Sequence, residues 1–134
     1  MKLLERLDAK AQRLDLGLLL LRLASGGLMM VHGAQKASQW STMSEGFPDP
    51  FGVGHAASLA LAIFAELFCA LLVVLGAFTR LALVPLMTTM VVAAFIIHGA
   101  DPWAKKELAI FYLSVYVALF FAGPLIRWVA LGAL

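Results

Sequence analysis

The chain alternates long apolar stretches with short polar breaks. The most continuous stretch is residues 56–78, AASLALAIFAELFCALLVVLGAF, in which Glu66 is the only charged residue. At a rise of about 1.5 Å per residue it reaches ~30 Å, which is enough to cross the hydrocarbon core of a bilayer. The whole pattern predicts an all-α, transmembrane four-helix bundle. Its spans are predicted at about residues 14–33, 56–78, 81–98 and 102–123.

Two segments outside these spans have patterns of their own. Residues 2–13 place charges between leucines, which predicts an amphipathic helix on the membrane surface and no cleavable signal peptide. The connection over residues 38–55 holds two prolines and three glycines, so it cannot be helical throughout. Since this connection is long, we expect it to fold back over one end of the bundle.

Composition supports a polytopic membrane protein with a single domain over residues 1–134. Hydrophobic residues make up 63% of the chain, charged residues 13%, and the mean hydropathy is +0.94. The net charge of +2 is small and its basic residues are dispersed, which argues against nucleic acid as a partner. Cys69 is the single cysteine, so an intramolecular disulfide, a CxxC pair and a cysteine-based zinc site are all excluded.

Lysine and arginine predict the orientation in the membrane. The richer side should be cytoplasmic, which places both termini inside the cell and the long connection outside. The chain is therefore expected to be a multi-pass protein of the inner membrane. The predicted inner side holds Lys2, Arg6, Lys10, Arg13, Arg80 and Arg127, and the outer side holds Lys36, Lys105 and Lys106.

Two charges fall inside otherwise apolar spans. Arg22 lies about eleven residues before the outer end of the first span, and Glu66 about ten residues after the outer start of the second. Their matched depths predict a buried ion pair, because an unpaired charge in lipid is costly. One interpretation is that the pair is structural. The other is that Glu66 handles protons or binds a ligand.

A second set of polar residues gathers at the predicted outer end. His32 and Lys36 share a face of the first span, His98 closes the third, and Glu107 follows the start of the fourth. Together with Glu66, these four are the candidates for a ligand pocket. The histidines could hydrogen-bond the carbonyl oxygens of a quinone, with Lys36 or Glu107 handling the protons. Haem or a metal is less expected, because histidines at helix ends are more often interfacial polar residues.

Six motifs follow one another over about residues 16–124. They are LLLRLASG with Arg22, VHGAQK over residues 31–36, AELFCALLVVLGAFTR with Glu66, AAFIIHG with His98, KKELA with Glu107, and AGP at residues 122–124. Together, and in this order, they resemble the DoxX family of small four-helix membrane proteins. The resemblance ends there, since the family's usual glycine and Ser-Leu-Asp type tail is replaced by LIRWVALGAL.

The resemblance implies a membrane protein associated with redox systems, because the family is named after a subunit of a thiosulfate:quinone oxidoreductase. Three hypotheses follow. The first is a redox membrane subunit that binds quinone in the outer half of the bundle. The second is a non-catalytic membrane partner or assembly protein for a soluble oxidoreductase. The third is a small proton-coupled carrier using Glu66, which would have to form a homo-oligomer to make a pathway.

Overall fold

The structure is a computed structural model that describes residues 2–123, and every regular element in that range is helical. Expectations that involve Pro124, Arg127 and the following tail lie outside the described residues. Within residues 2–123, four long helices and one short helix follow one another. They are α1 (Lys2–Ser38), α2 (Trp40–Met43), α3 (His55–Leu75), α4 (Thr79–Ile97) and α5 (Trp103–Ala122).

Two of these helices change their winding along their length. In α3, the residues Phe64–Cys69 are π-helical, between α-helical segments on both sides. In α4, the residues Val92–Ile97 are π-helical and end the helix. A π-helical turn accommodates an additional residue, which alters the direction in which the following side chains project.

The prediction of an all-α membrane protein is confirmed for α1, α3 and α4, which are long and apolar enough to cross a bilayer. The helix α5 is of similar length but carries Lys105, Lys106 and Glu107 near its start. Large apolar side chains cover the outside of the bundle. Among them, Leu20, Phe68, Leu81 and Phe95 are each more than half exposed, as expected for contact with lipid.

The helix α1 is longer than predicted. It runs without a break through residues 2–13, where a separate surface helix was expected. The sequence explains this, because residues 2–16 contain neither proline nor glycine and consist mostly of good helix formers. Residues 2–17 are all exposed, so this part of α1 extends beyond the bundle.

Consecutive long helices run antiparallel. The guanidinium of Arg80, at the start of α4, donates a hydrogen bond to the Phe120 carbonyl near the end of α5. We call the end with the long connection between α1 and α3 the loop end, and the end with Gly76 the turn end. Gly76 has φ 72° and allows the tight turn between α3 and α4. The core includes Met29, Leu59, Val73, Leu83, Leu86 and Tyr116.

Candidate functional site

The principal polar contact inside the bundle joins Lys36 of α1 to Glu66 of α3. The Nζ atom of Lys36 lies 2.6 Å from Oε1 and 2.5 Å from Oε2 of Glu66. The Glu66 side chain is 4% exposed and the Lys36 side chain 25% exposed. A carboxylate this deeply buried needs a partner, and Lys36 neutralises it while remaining accessible from outside the bundle.

The backbone of Gly33 brings the two charges together. A Cβ atom on Gly33 would lie 2.8 Å from the carbonyl carbon of Glu66 and 2.8 Å from the amide nitrogen of Leu67. Only glycine therefore permits this approach of α1 to the π-helical part of α3. Lys36 follows Gly33 by three residues, and helical side chains lean toward the N-terminus, so its ammonium group reaches back to Glu66.

The expected Arg22–Glu66 pair is replaced by the Lys36–Glu66 pair. The Nε atom of Arg22 donates to the Val73 carbonyl at 3.2 Å, and its guanidinium lies against Gly76. These contacts place Arg22 at the turn end, beside residues that follow Glu66 by seven (Val73) and ten (Gly76) positions. The prediction assumed that the first two spans end at one level, whereas the close contact at Gly33 sets a different register.

Two tyrosines of α5 line the same side of α1 as Lys36, and sequence reasoning missed them. Tyr112 packs edge-on against His32 with ring centroids 6.2 Å apart. Tyr116 stacks on Tyr112 and donates a hydrogen bond to the buried carbonyl of Ser25 at 3.1 Å. The signal was present in the sequence, because Tyr112, Tyr116 and Leu119 recur at helical spacing in α5.

The other two pocket candidates, His98 and Glu107, have surroundings of their own. His98 Nδ1 lies 2.7 Å from Asp101 Oδ2, and this hydrogen bond holds the pKa of Asp101 below its ordinary value despite some desolvation. Glu107 is exposed and lines a shallow groove on the surface of α5 together with Phe111 and Ser114. Within residues 2–123 we found no group of His, Cys, Asp and Glu arranged to hold a metal ion.

Comparison with known families places these contacts in context. The family model for DoxX matches residues 17–99, which is more than half of the chain. The chain belongs to the DoxX family. The match takes in α3, α4 and most of α1, and with them the Lys36–Glu66 pair. No curated protein and no solved structure matches the chain.

In this DoxX protein, Asp49 organises the long connection between α1 and α3 at the loop end. Its Oδ1 accepts hydrogen bonds from the Val53 amide and the Ser58 hydroxyl, and its Oδ2 accepts one from the Gly54 amide. Desolvation raises the pKa of Asp49, but these hydrogen bonds and the nearby charge of His55 outweigh it, so the pKa lies below its ordinary value of 3.8. The ionised carboxylate thus ties the loop to the start of α3.

We expect the loop of this DoxX protein to loosen in acid. Because the pKa of Asp49 is lower in the folded state, its contribution is complete above pH 3.8 and is lost as the pH falls further, through the folded pKa. Hydrogen exchange at the Val53 and Gly54 amides should therefore accelerate in that range beyond the intrinsic pH dependence. In Asp49→Ala the amides should exchange fast at all pH values, and Glu45→Ala should behave as wild type. Equal protection in Asp49→Ala and wild type would contradict this assignment.

Proposed function

We propose that this DoxX protein is a redox-associated membrane subunit that binds a quinone at the Lys36–Glu66 pair. The observation that carries the proposal is that a buried carboxylate in a π-helical segment is held by a lysine that stays a quarter exposed. Segments of π-helix inside α-helices are frequent at functional sites. An ionisable pair at depth in a membrane helix is itself indicative of function.

The hydrogen-bond donors and acceptors of the pair are suited to a quinone headgroup. The Lys36 ammonium group has three N–H donors, and two of them serve the two oxygens of Glu66. The third can donate to a carbonyl oxygen of a quinone. When a quinone takes up two electrons and two protons, the Lys36 ammonium can donate one proton to that oxygen and take up a replacement proton from water on its exposed side. The second proton reaches the other quinone oxygen from water, while the Glu66 carboxylate stays ionised and holds Lys36 in place. The electrons would come from a partner oxidoreductase, since the only cysteine, Cys69, is buried.

A binding experiment tests this proposal with ubiquinone-1 and menadione as probes. In protein reconstituted in nanodiscs, we expect saturable quenching of tryptophan fluorescence, and at least tenfold weaker binding by Lys36→Met. Lys106→Met is the matched control, because Lys106 donates to the Gly99 carbonyl at the same end of the bundle. Equal binding by both variants, or none by the wild type, would refute quinone binding at this pair.

Folding has to be separated from binding in that experiment. Lys36→Arg keeps the charge and should retain the fold, but its wider guanidinium cannot reproduce the position of the ammonium group. We expect this variant to fold and to bind the probes weakly. If the wild type binds no quinone but copurifies with a soluble oxidoreductase, the non-catalytic membrane partner would be the better description.

The proposal includes an orientation, with both termini cytoplasmic and α5 crossing the inner membrane. In a Cys69→Ala background, Glu45→Cys should react with an impermeant maleimide added to the outside of intact cells. Glu5→Cys should react only after the cells are opened. The two positions are matched, as each is an exposed glutamate beyond a span. Labelling of Glu45→Cys only from the cytoplasmic side would show that the orientation is the reverse of the proposed one.

A further inference from the structure

Tyr112 carries a hydroxyl group that has no hydrogen-bond partner among residues 2–123, although the residue is only 6% exposed. Every fully buried side-chain nitrogen and oxygen in that range does have a partner, so the small exposed part of Tyr112 has to include its hydroxyl. Burying a hydroxyl without a partner costs free energy, and a phenylalanine would pack here without that cost. The hydroxyl is therefore available to a partner from outside the chain.

Tyr116, which follows one turn later in α5, has the opposite arrangement. Its hydroxyl donates to the Ser25 carbonyl at 3.1 Å, so its polar group is satisfied within the fold. The two tyrosine rings stack with their centroids 5.9 Å apart, and His32 packs edge-on against the Tyr112 ring. The Tyr112 ring is thus fixed by its neighbours while its hydroxyl has no partner. A donor held in this way is preorganised for a ligand.

The Tyr112 hydroxyl and the Lys36 ammonium group lean toward each other along the bundle. Helical side chains incline toward the N-terminus of their own helix, and α1 and α5 run antiparallel. Lys36 therefore inclines away from the loop end, and Tyr112 inclines toward it. His32 precedes Lys36 by one turn on the same face of α1 and contacts Tyr112, so it lies where the two side chains approach. The Glu66 carboxylate is also close enough to interact electrostatically with the Tyr112 hydroxyl.

We propose that the Tyr112 hydroxyl is the second hydrogen-bond donor to the quinone, which presupposes the quinone binding proposed at the Lys36–Glu66 pair. Both donors share one carbonyl oxygen of the quinone. Such an oxygen has two lone pairs, so it accepts one hydrogen bond from the ammonium group on α1 and one from the phenol on α5. The phenol donates a hydrogen bond and keeps its proton, and the other quinone oxygen lies toward water.

Phenylalanine variants of the two tyrosines test this role, and each is the matched control for the other. With ubiquinone-1 as the probe in nanodiscs, we expect Tyr112→Phe to bind about three- to tenfold more weakly than wild type, as for the loss of one hydrogen bond. Without quinone its melting temperature should stay constant or rise, because no contact within the fold is lost. Tyr116→Phe should show the reverse. Its melting temperature should fall, because the Ser25 carbonyl loses its donor, and its affinity should stay within about twofold of wild type.

A double variant tests whether the two donors share one oxygen. In a Lys36→Met background, adding Tyr112→Phe should weaken binding by less than about twofold, because the oxygen is no longer held beside the hydroxyl. A full further loss of about three- to tenfold would mean that the two groups act independently, and it would overturn the shared contact.

The outcomes separate the role of Tyr112 from quinone binding itself. If Lys36→Met binds weakly while Tyr112→Phe binds as wild type, quinone binding at the Lys36–Glu66 pair stands and the role of Tyr112 is refuted. If wild type binds no quinone, both are refuted. A quinone-free Tyr112→Phe protein that melts as low as Tyr116→Phe would show that the hydroxyl is satisfied within the fold, and this too would overturn the proposal.

Discussion

Replacing Lys36 by methionine should destabilise the protein by about 3–5 kcal/mol, because it leaves the buried Glu66 carboxylate without its partner. Replacing Glu66 by glutamine should cost less, because the Lys36 ammonium that remains is a quarter exposed. The double variant should recover a large part of the Lys36→Met loss, since removing both charges also removes the cost of burying them. Thermal unfolding of the purified protein in one detergent measures all three variants against wild type. The coupling free energy of the two positions is the difference between the loss in the double variant and the sum of the losses in the single variants.

Exposed charged residues on α5 provide the control for this double-mutant cycle of Lys36 and Glu66. Lys105→Met and Glu107→Gln change charges that are solvent-exposed, and we expect each to alter stability by less than about 0.5 kcal/mol. Additive losses at Lys36 and Glu66, with no recovery in the double variant, would mean that the observed 2.5–2.6 Å contacts contribute no coupling energy. A double variant that is stable but no longer binds quinone would assign the pair a functional role rather than a structural one.

The apolar pattern was sufficient to predict the helices of this protein. A long apolar run leaves few alternatives in a bilayer, since every backbone group must be hydrogen-bonded within its own helix. The predicted span at residues 56–78 corresponds to α3, which ends at Leu75, and the predicted span at residues 81–98 corresponds to α4. An apolar run of this length extends over many residues, so a single charged residue within it does not obscure the prediction of a helix.

Pairing between helices could not be predicted in the same way. The prediction paired Glu66 with Arg22, whereas in the structure Glu66 lies opposite Gly33, eleven residues further along α1. That difference corresponds to about 16 Å of helix. The register between two helices depends on which backbone positions can approach closely. Counting residues from the ends of the spans does not reveal these positions.

The rotation of each helix about its own axis could not be predicted either. Glu107 was a candidate for the ligand pocket, but α5 turns Tyr112 and Tyr116 inward and leaves Glu107 exposed. The π-helical segments in α3 and α4 add to the difficulty, because an additional residue rotates all the positions that follow. The sequence around Glu66 contains no proline or glycine that would indicate such a segment.

Gly33 provides the second prediction with a large effect. In Gly33→Ala the new Cβ would lie 2.8–2.9 Å from the backbone of Glu66 and Leu67 and the Leu67 Cβ, so α1 and α3 have to move apart. Overpacking of this kind costs about 1–3 kcal/mol, against a gain of up to about 1 kcal/mol in helix propensity. We therefore expect a lower melting temperature, together with weaker quinone binding as Lys36 moves away from Glu66.

Gly27→Ala is the matched control, because it lies in the same helix and a Cβ there meets no atom within 4 Å. It should gain helix propensity without a clash, so its melting temperature should stay constant or rise. The difference between the two alanine variants then isolates the contact between α1 and the π-helical part of α3. If Gly33→Ala proved as stable as Gly27→Ala and bound quinone normally, close backbone contact would not be what positions Lys36 on Glu66.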